Sequence, residues 1–180
     1  MPKIPSDILT NISATEFEKL IHSYLVDLGK TLSKFEATHD KKIPRHDGTY
    51  QIDVYAEFEV LGGQLKVLIE CKMHNDKIKR DVVQLLHGKI TSIGAHKGMI
   101  FATSEFQSGA IEYAKEHGIA LIRVIEGKYI YITKSQGSHN FEPPPRANIP
   151  KFVGEYRDEN SISYIQDDYL DPLKKVLFKE

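Results

Sequence analysis

Three ionisable side chains stand at a spacing that could do phosphoryl chemistry: Asp53, and then Glu70-Cys71-Lys72, in the pattern Asp-x(16)-Glu-x-Lys. Two carboxylates that approach each other repel, and at a partly desolvated sheet centre both cannot stay ionised cheaply. A divalent cation between them removes the conflict. Hard oxygen ligands, an open coordination sphere and one nearby ammonium are what Mg²⁺-assisted phosphoryl chemistry requires. The metal would polarise a scissile phosphate and lower the pKa of a bound water. A lysine can orient that water or neutralise charge in the pentavalent transition state, because its ammonium is a compact point charge. Glu and Lys alternating along a strand more often form a solvated edge with cross-strand ion pairs, and Glu57, Glu59 and Lys66 are read that way.

The chemistry depends on a hairpin. Ile52, Val54, Ala56, Phe58 and Val60 alternate with Gln51, Asp53, Tyr55, Glu57 and Glu59, the period of a strand with one apolar face. Leu61-Gly62-Gly63-Gln64 supplies a tight turn, and Leu65, Val67, Ile69 and Cys71 continue the apolar face. A two-residue turn at Leu61-Gly62 places Asp53 directly opposite Glu70. One at Gly62-Gly63 places it opposite Lys72, with Glu70 a diagonal step away. Both registers put Asp53, Glu70 and Lys72 on one face, with Cβ atoms roughly 5–8 Å apart; an odd-length loop without a bulge would split them.

The flanking elements must hold that hairpin. Ser13-Ala-Thr-Glu16 fits a capping box and opens a helix through Phe17, Leu20, Ile21, Tyr24, Leu25 and Leu28, with Gly29 just past its end. A strand is expected around Lys34–His39. After the hairpin the period changes to that of a helix, from about Asp76 through Ile78, Val82, Leu85, Leu86, Ile90 and Ile93. Gly98–Thr103 reads as a strand. Ser104-Glu-Phe-Gln107 reads as a second capping box opening a helix through Ala110, Ile111 and Ala114 to Gly118. Ile119–Ile125 and Lys128–Thr133 read as a closing pair of strands. The fold class is α/β, a mixed central sheet flanked by helices.

All eight prolines lie outside the stretch from Arg45 to Glu142, which suits unbroken helices and paired strands. Pro143-Pro144-Pro145 marks a stiff linker, so the chain divides into a domain at 1–134, a Pro-rich linker at 135–150 and a tail at 151–180. The tail could cap the sheet edge, pair with a partner or shield a basic cleft. With 180 residues, 41% hydrophobic and 27% charged, the chain has the composition of a globular domain that folds without disulfides or structural metal. One cysteine excludes a disulfide framework and any CxxC zinc site. The first residues carry no apolar signal-peptide core and no apolar run approaches ~18 residues, so a cytoplasmic chain is expected and a membrane partner is not. Lys+Arg 24 against Asp+Glu 25 leaves nucleic-acid binding to local basic patches.

With these elements around it, the constellation resembles the PD-(D/E)xK nuclease core: Ile52-Asp53-Val54, then Ile69-Glu70-Cys71-Lys72 after a hairpin. The wider pattern resembles its Mrr-type restriction endonuclease branch, through Phe17-Glu18, Asp47-Gly48, Gln84, Lys97-Gly98 and Thr103-Ser104-Glu105-Phe106 leading to Ala110. The resemblance runs from about Thr15 to Val124 and implies a restriction-endonuclease-like core and metal-dependent phosphodiester hydrolysis. It implies Asp53 and Glu70 as Mg²⁺ ligands (Mn²⁺ in its place), with the main-chain carbonyl of Cys71 as a third. Lys72 would serve the attacking water, Gln84 would be an auxiliary catalytic residue, and Glu18 would reach the metal from the first helix. The sequence departs from the family pattern where no proline precedes Asp53, and at Glu105, where a small residue is expected.

A nuclease needs phosphate contacts. Lys77, Lys79 and Arg80 cluster after the catalytic strand, and Lys42 and Arg45 cluster before Asp53, where DNA entering the site could pass. None of the eight histidines shows zinc-site spacing, and His46 and His74 are candidates for phosphate contact only. Cys71, on the apolar face, is read as a buried small hydrophobe rather than a nucleophile. No GxxxxGK[ST] motif is present, so no P-loop is expected. The favoured reading is an Mg²⁺-dependent DNA endonuclease of restriction or phage defence, working as a homodimer or larger assembly with a regulatory partner protein. A nuclease-fold binding or assembly module without turnover, and a structure-selective resolvase, are the alternatives.

Overall fold

The computed structural model describes residues 12–30, 32–126, 152–157 and 162–165. The elements are α1 (Ala14–Gly29), β1 (Glu36–Arg45), β2 (Gly48–Val60), β3 (Gly63–Lys72), α2 (Arg80–Ile93), β4 (Lys97–Ala102), α3 (Ser108–Glu116), β5 (Ile119–Glu126), β6 (Phe152–Arg157) and β7 (Ile162–Ile165). The strands form one sheet in sequence order, β1 to β7. β3–β4 and β4–β5 are parallel, with α2 and α3 as crossovers, and the other neighbours are antiparallel. This is the expected mixed α/β sheet. No helix among the described residues is long and apolar enough to cross a membrane.

Helix α1 begins where the sequence places it. Ser13 Oγ accepts the Glu16 N–H (3.2 Å) and Glu16 Oε2 accepts the Ser13 N–H (2.7 Å), closing both arms of the capping box. Its buried side, Phe17, Ile21 and Leu25, packs on Val54, Ala56 and Ile69. At its other end, Gly29 is the last helical residue rather than the stop, and a Cβ there would meet the Phe35 ring at 2.0 Å. Phe35 stacks on Phe58 with centroids 6.4 Å apart, so the ring has little room to retreat. Gly29→Ala, which in an exposed helix would gain about 1 kcal/mol, is therefore expected to lose about 1–3 kcal/mol by overpacking. Urea denaturation of the variant checks the sign.

Both faces of the sheet are covered. Tyr55, expected on a polar face, and Leu68 paired with it are 4% and 0% exposed, because α2 and α3 pack there through Val83, Leu86, Ala110 and Ala114. Ile52 also belongs to this second core and not to the first, where strict alternation with Val54 would put it. The strand changes face between them, and the site lies at that change.

The two later helices start further along the chain than their sequence signals indicate, for one shared reason. Ile78 donates its N–H to the Glu105 carbonyl (2.8 Å) and accepts the Gln107 N–H (2.9 Å), a parallel bridge between Ile78 and Phe106. That bridge keeps Ile78 out of α2, which starts at Arg80 instead of near Asp76. It also keeps residues 105–107 extended, so Ser104 does not cap α3; Gln107 is the N-cap, without a side-chain bond. Leu85 and Ile111, read from the sequence as apolar-stripe residues, are 61% and 41% exposed. In α2, Leu86 and Ile93 are buried as expected, and the third buried position is Val83.

The linker and the strand expected at Lys128–Thr133 lie outside the described residues. The antiparallel neighbour of β5 is β6, drawn from the C-terminal tail, and β7 follows it. Of the roles left open for the tail, these two strands fill the extension of the sheet edge.

Candidate active site

The β2–β3 hairpin turns on Leu61 and Gly62, with φ of 51° and 80°, the two successive positive values of a type I′ turn. This selects the register with Val60 opposite Gly63 and Val54 opposite Ile69. Continued by one step, it puts Asp53 directly across from Glu70.

The ladder stops before that step is taken. Val54↔Ile69 is its last pair, and on the other side of β2 the position facing Asp53 is Asp40, which has φ of 52°. A non-glycine residue in the left-handed region marks a local break in the pleat. Here it coincides with the change of face between Val54 and Ile52. At the break the Asp53 side chain substitutes for a backbone partner: its Oδ2 accepts the Cys71 N–H at 2.7 Å.

Glu70 is 6% exposed, one of few buried charged residues. Each of its oxygens accepts from a different lysine: Oε1 from Lys72 Nζ at 2.5 Å, and Oε2 from Lys89 Nζ at 2.8 Å. Burial pushes Glu70 upward, but the hydrogen bonds from Lys72 and Lys89 outweigh it and hold the carboxyl below its usual range. Asp53 goes the other way. Burial and then the charge of Glu70 raise it, against the Cys71 N–H and Lys72. Lys72 loses by burial but gains more from its bond to Glu70, so its ammonium is held above the ordinary lysine range. Two neighbouring carboxyls displaced in opposite directions are a feature of functional sites.

Glu18 also reaches this region. Its charge adds to the upward push on Asp53, and its Oε2 accepts from His39 Nε2 at 2.7 Å. Cys71 is buried in the α1-side core and its thiol is pushed up by burial and then by Asp53, as expected of a core residue.

Of the sequence-derived candidates, the structure brings together Asp53, Glu70, Cys71 and Lys72, with Glu18 alongside. Gln84 lies on α2 and is exposed. The α2 residue that reaches Glu70 is Lys89. Its signal was present in the sequence, because a lysine three residues after Leu86 and four before Ile93 lies on the buried side of the helix and needs a buried partner. His39 was missed as well, since a single histidine on a strand carries no spacing signal.

The expected phosphate contacts divide. Lys42 and Lys79 are exposed. Arg80 lies 5.0 Å from the Tyr113 ring centroid. Arg45, by contrast, donates to the Ile93 carbonyl at 2.5 Å, satisfying the last turn of α2. Lys77 pairs with Glu105 at 2.8 Å, and Arg123 approaches the same carboxylate at 3.5 Å. These pairs account for the glutamate at position 105: it ties the β3–α2 loop to β5.

Among the described residues no group of three His, Cys, Asp or Glu side chains is placed to hold a metal ion. The donor set does fit a cation that needs fewer protein ligands. Mg²⁺ is commonly held by one or two carboxylates and keeps several waters, and two crowded carboxyls, one raised by the other, are relieved by a divalent charge.

A mixed sheet with a carboxylate at a strand break, and Glu-x-Lys on the adjoining strand, defines a restriction-endonuclease-like domain. The residue pattern of the restriction endonuclease family Mrr_cat matches residues 9–128, and the chain belongs to that family. No curated protein matches the sequence. Among solved structures the chain is similar to a protein of unknown function, AF1548 (TM-score 0.51, 23% identity, 61% of this chain and 57% of that one). It is also similar to the DNA modification-dependent restriction endonuclease AspBHI (TM-score 0.44, 17% identity), covering 59% of this chain. It spans 57% and 27% of the lengths of these two proteins.

Proposed function

We propose that the protein is an Mg²⁺-dependent endonuclease that hydrolyses phosphodiester bonds in DNA, in restriction or phage defence. The observation that carries this reading is the meeting of Asp53, Glu70 and Lys72 at the end of the β2–β3 ladder. Asp53 and Glu70 would hold the cation. The Cys71 carbonyl would join them, because the N–H and C=O of a strand residue project to the same edge, and the Cys71 N–H points at Asp53. The bound cation would supply Lewis-acid polarisation of the phosphate and an acidified water.

The chain's own residues do the rest. The Cys71 N–H orients the Asp53 carboxylate. Lys72, held in the ammonium form by Glu70, serves as a charged donor and not as a base; its side chain is 24% exposed, against 7% for Glu70, so it is the member of the pair able to reach a substrate. Lys42, Lys79 and Arg80 offer contacts to flanking phosphates.

The test is incubation of the protein with plasmid, linear and single-stranded DNA, and with RNA, in Mg²⁺, Mn²⁺ or EDTA. Cleavage of DNA in Mg²⁺ that EDTA stops, and that Lys72→Ala removes with the melting temperature unchanged, is the expected result. Cleavage equal in EDTA, or retained by Lys72→Ala, would overturn the proposal. Binding of DNA without any cleavage would assign the fold to a binding module instead.

A further inference from the structure

Lys89 belongs to none of the motifs that identify the site, yet it makes as many bonds there as any other side chain. It donates to Glu70 Oε2 at 2.8 Å and to the Gln51 carbonyl at 3.1 Å. Gln51 lies beyond the last β2–β3 pair, where β2 has left its neighbour and a carbonyl turned toward β3 has no ladder partner. Lys89 therefore crosses from α2 to bridge both sides of the break, one acceptor on β2 and one on β3.

The two lysines on Glu70 are not equivalent. Lys72 hangs from the same strand two residues on and is 24% exposed, whereas Lys89 is 14% exposed and approaches from the helix layer. The Lys89 stem runs on the buried side of α2, between Leu86 and Ile93, and its ammonium has two fixed acceptors. Leaving that position would break both bonds at once and strand one oxygen of a buried carboxylate from the more buried side, where Lys72 is the more exposed partner.

We propose that Lys89 is a positioning residue for phosphodiester hydrolysis: by holding Glu70 Oε2 and the Gln51 carbonyl together it fixes the Glu70 carboxylate across the sheet break and leaves Lys72 free to engage the substrate. This rests on the reading of Asp53, Glu70 and Lys72 as a hydrolytic site, and deepens it. Partners that orient a ligating carboxylate typically matter about 10–100-fold in metal affinity or rate, because a small misplacement of the ligand is felt directly by the reacting atoms.

The experiment compares the full chain with Lys89→Met, Lys89→Gln and Lys89→Arg. Mn²⁺ alone is titrated by calorimetry, and plasmid cleavage gives kcat and KM separately. Lys89→Met is expected to weaken Mn²⁺ binding about 10-fold and to lower kcat by about 10–100-fold at unchanged KM. Lys89→Arg, which keeps donors at that position, recovers part of both. Lys89→Gln carries the same expectation as Lys89→Met should the methionine variant fail to fold. Unchanged Mn²⁺ affinity and kcat overturn the proposal. So does tighter Mn²⁺ binding, which makes Lys89 a mere repeller of the cation, and so does a raised KM at constant kcat, which makes it a DNA contact. An arginine variant no better than methionine also overturns it. A wild-type protein that neither binds Mn²⁺ nor cuts DNA removes the hydrolytic reading itself, and this role with it. One that does both while the variants match it removes the role alone.

Discussion

Asp53→Asn is expected to abolish cleavage, by about 10³-fold or more, while raising the melting temperature of the metal-free protein. The two effects share one cause. Asp53 is raised by burial and by the charge of Glu70, so its ionised form is disfavoured in the folded state. A carboxyl of this kind contributes stability that is fully present below its unfolded value, 3.8, and is lost as pH rises through the raised folded value. As pH rises the native state therefore has to hold a carboxylate whose burial and Glu70 neighbour outweigh what the Cys71 N–H and Lys72 offer it. Asparagine removes the charge and keeps an oxygen to accept the Cys71 N–H, so a gain on the order of 1 kcal/mol is expected, a usual size for relieving a site shaped by function. Thermal melts in EDTA from pH 4 to pH 8 test this. The gain should grow as pH rises and vanish at the acid end. A variant no more stable than the wild type at pH 7, or one that still cuts DNA, would contradict the assignment of Asp53.

Glu70→Ala should behave in the opposite way, losing stability as well as activity. Glu70 is the carboxylate that both Lys72 and Lys89 bond, and its removal leaves two partly buried ammoniums without that shared counter-charge. Deleting one partner of a buried pair commonly costs 3–5 kcal/mol; the partial exposure of both lysines places this case at the low end, about 3 kcal/mol. The sign of the pH dependence follows from the lowered value of Glu70. Its stabilisation is present above the unfolded value of 4.5 and is lost as pH falls through the folded value. The gap between wild type and Glu70→Ala in urea denaturation should narrow below that range. Adding Lys89→Met to Glu70→Ala should return part of the loss, since the second change removes one of the stranded charges. A Glu70→Ala protein as stable as wild type at pH 7 would mean that the lysines are solvated and that Glu70 is not their anchor.

These opposite outcomes for two carboxylates side by side were not legible in the residue pattern. Asp-x(16)-Glu-x-Lys marks both as acids of one site and treats them alike. The difference arises from what surrounds each. Glu70 meets two ammoniums, one from a helix that begins ten residues downstream, whereas for Asp53 burial and a like charge outweigh one backbone N–H and the charge of Lys72.

Family membership over residues 9–128 agrees with the resemblance carried by the motif residues, and the helix–hairpin–helix order was visible for the same reason. Local signals sufficed there. The Ser13–Glu16 capping box is closed within four residues, and the hairpin within a single turn, so neighbouring side chains carry all the information. Leu85 and the Ser104 capping box went differently because a helical period does not say which partner a face will meet.

By itself, then, the sequence determined the elements whose hydrogen bonds close locally, and the three side chains that the hairpin must bring near one another. The tertiary structure decided the rest: the choice of Leu61-Gly62 over Gly62-Gly63 as the turn, and the break at Asp53 opposite Asp40. It also decided the bridge from Ile78 to Phe106 that moves two helix starts, the entry of Lys89, and the addition of β6 and β7 to the sheet. Each of these depends on groups far apart in the chain competing for the same hydrogen-bond partner or the same buried space, a competition that short-range patterns do not encode.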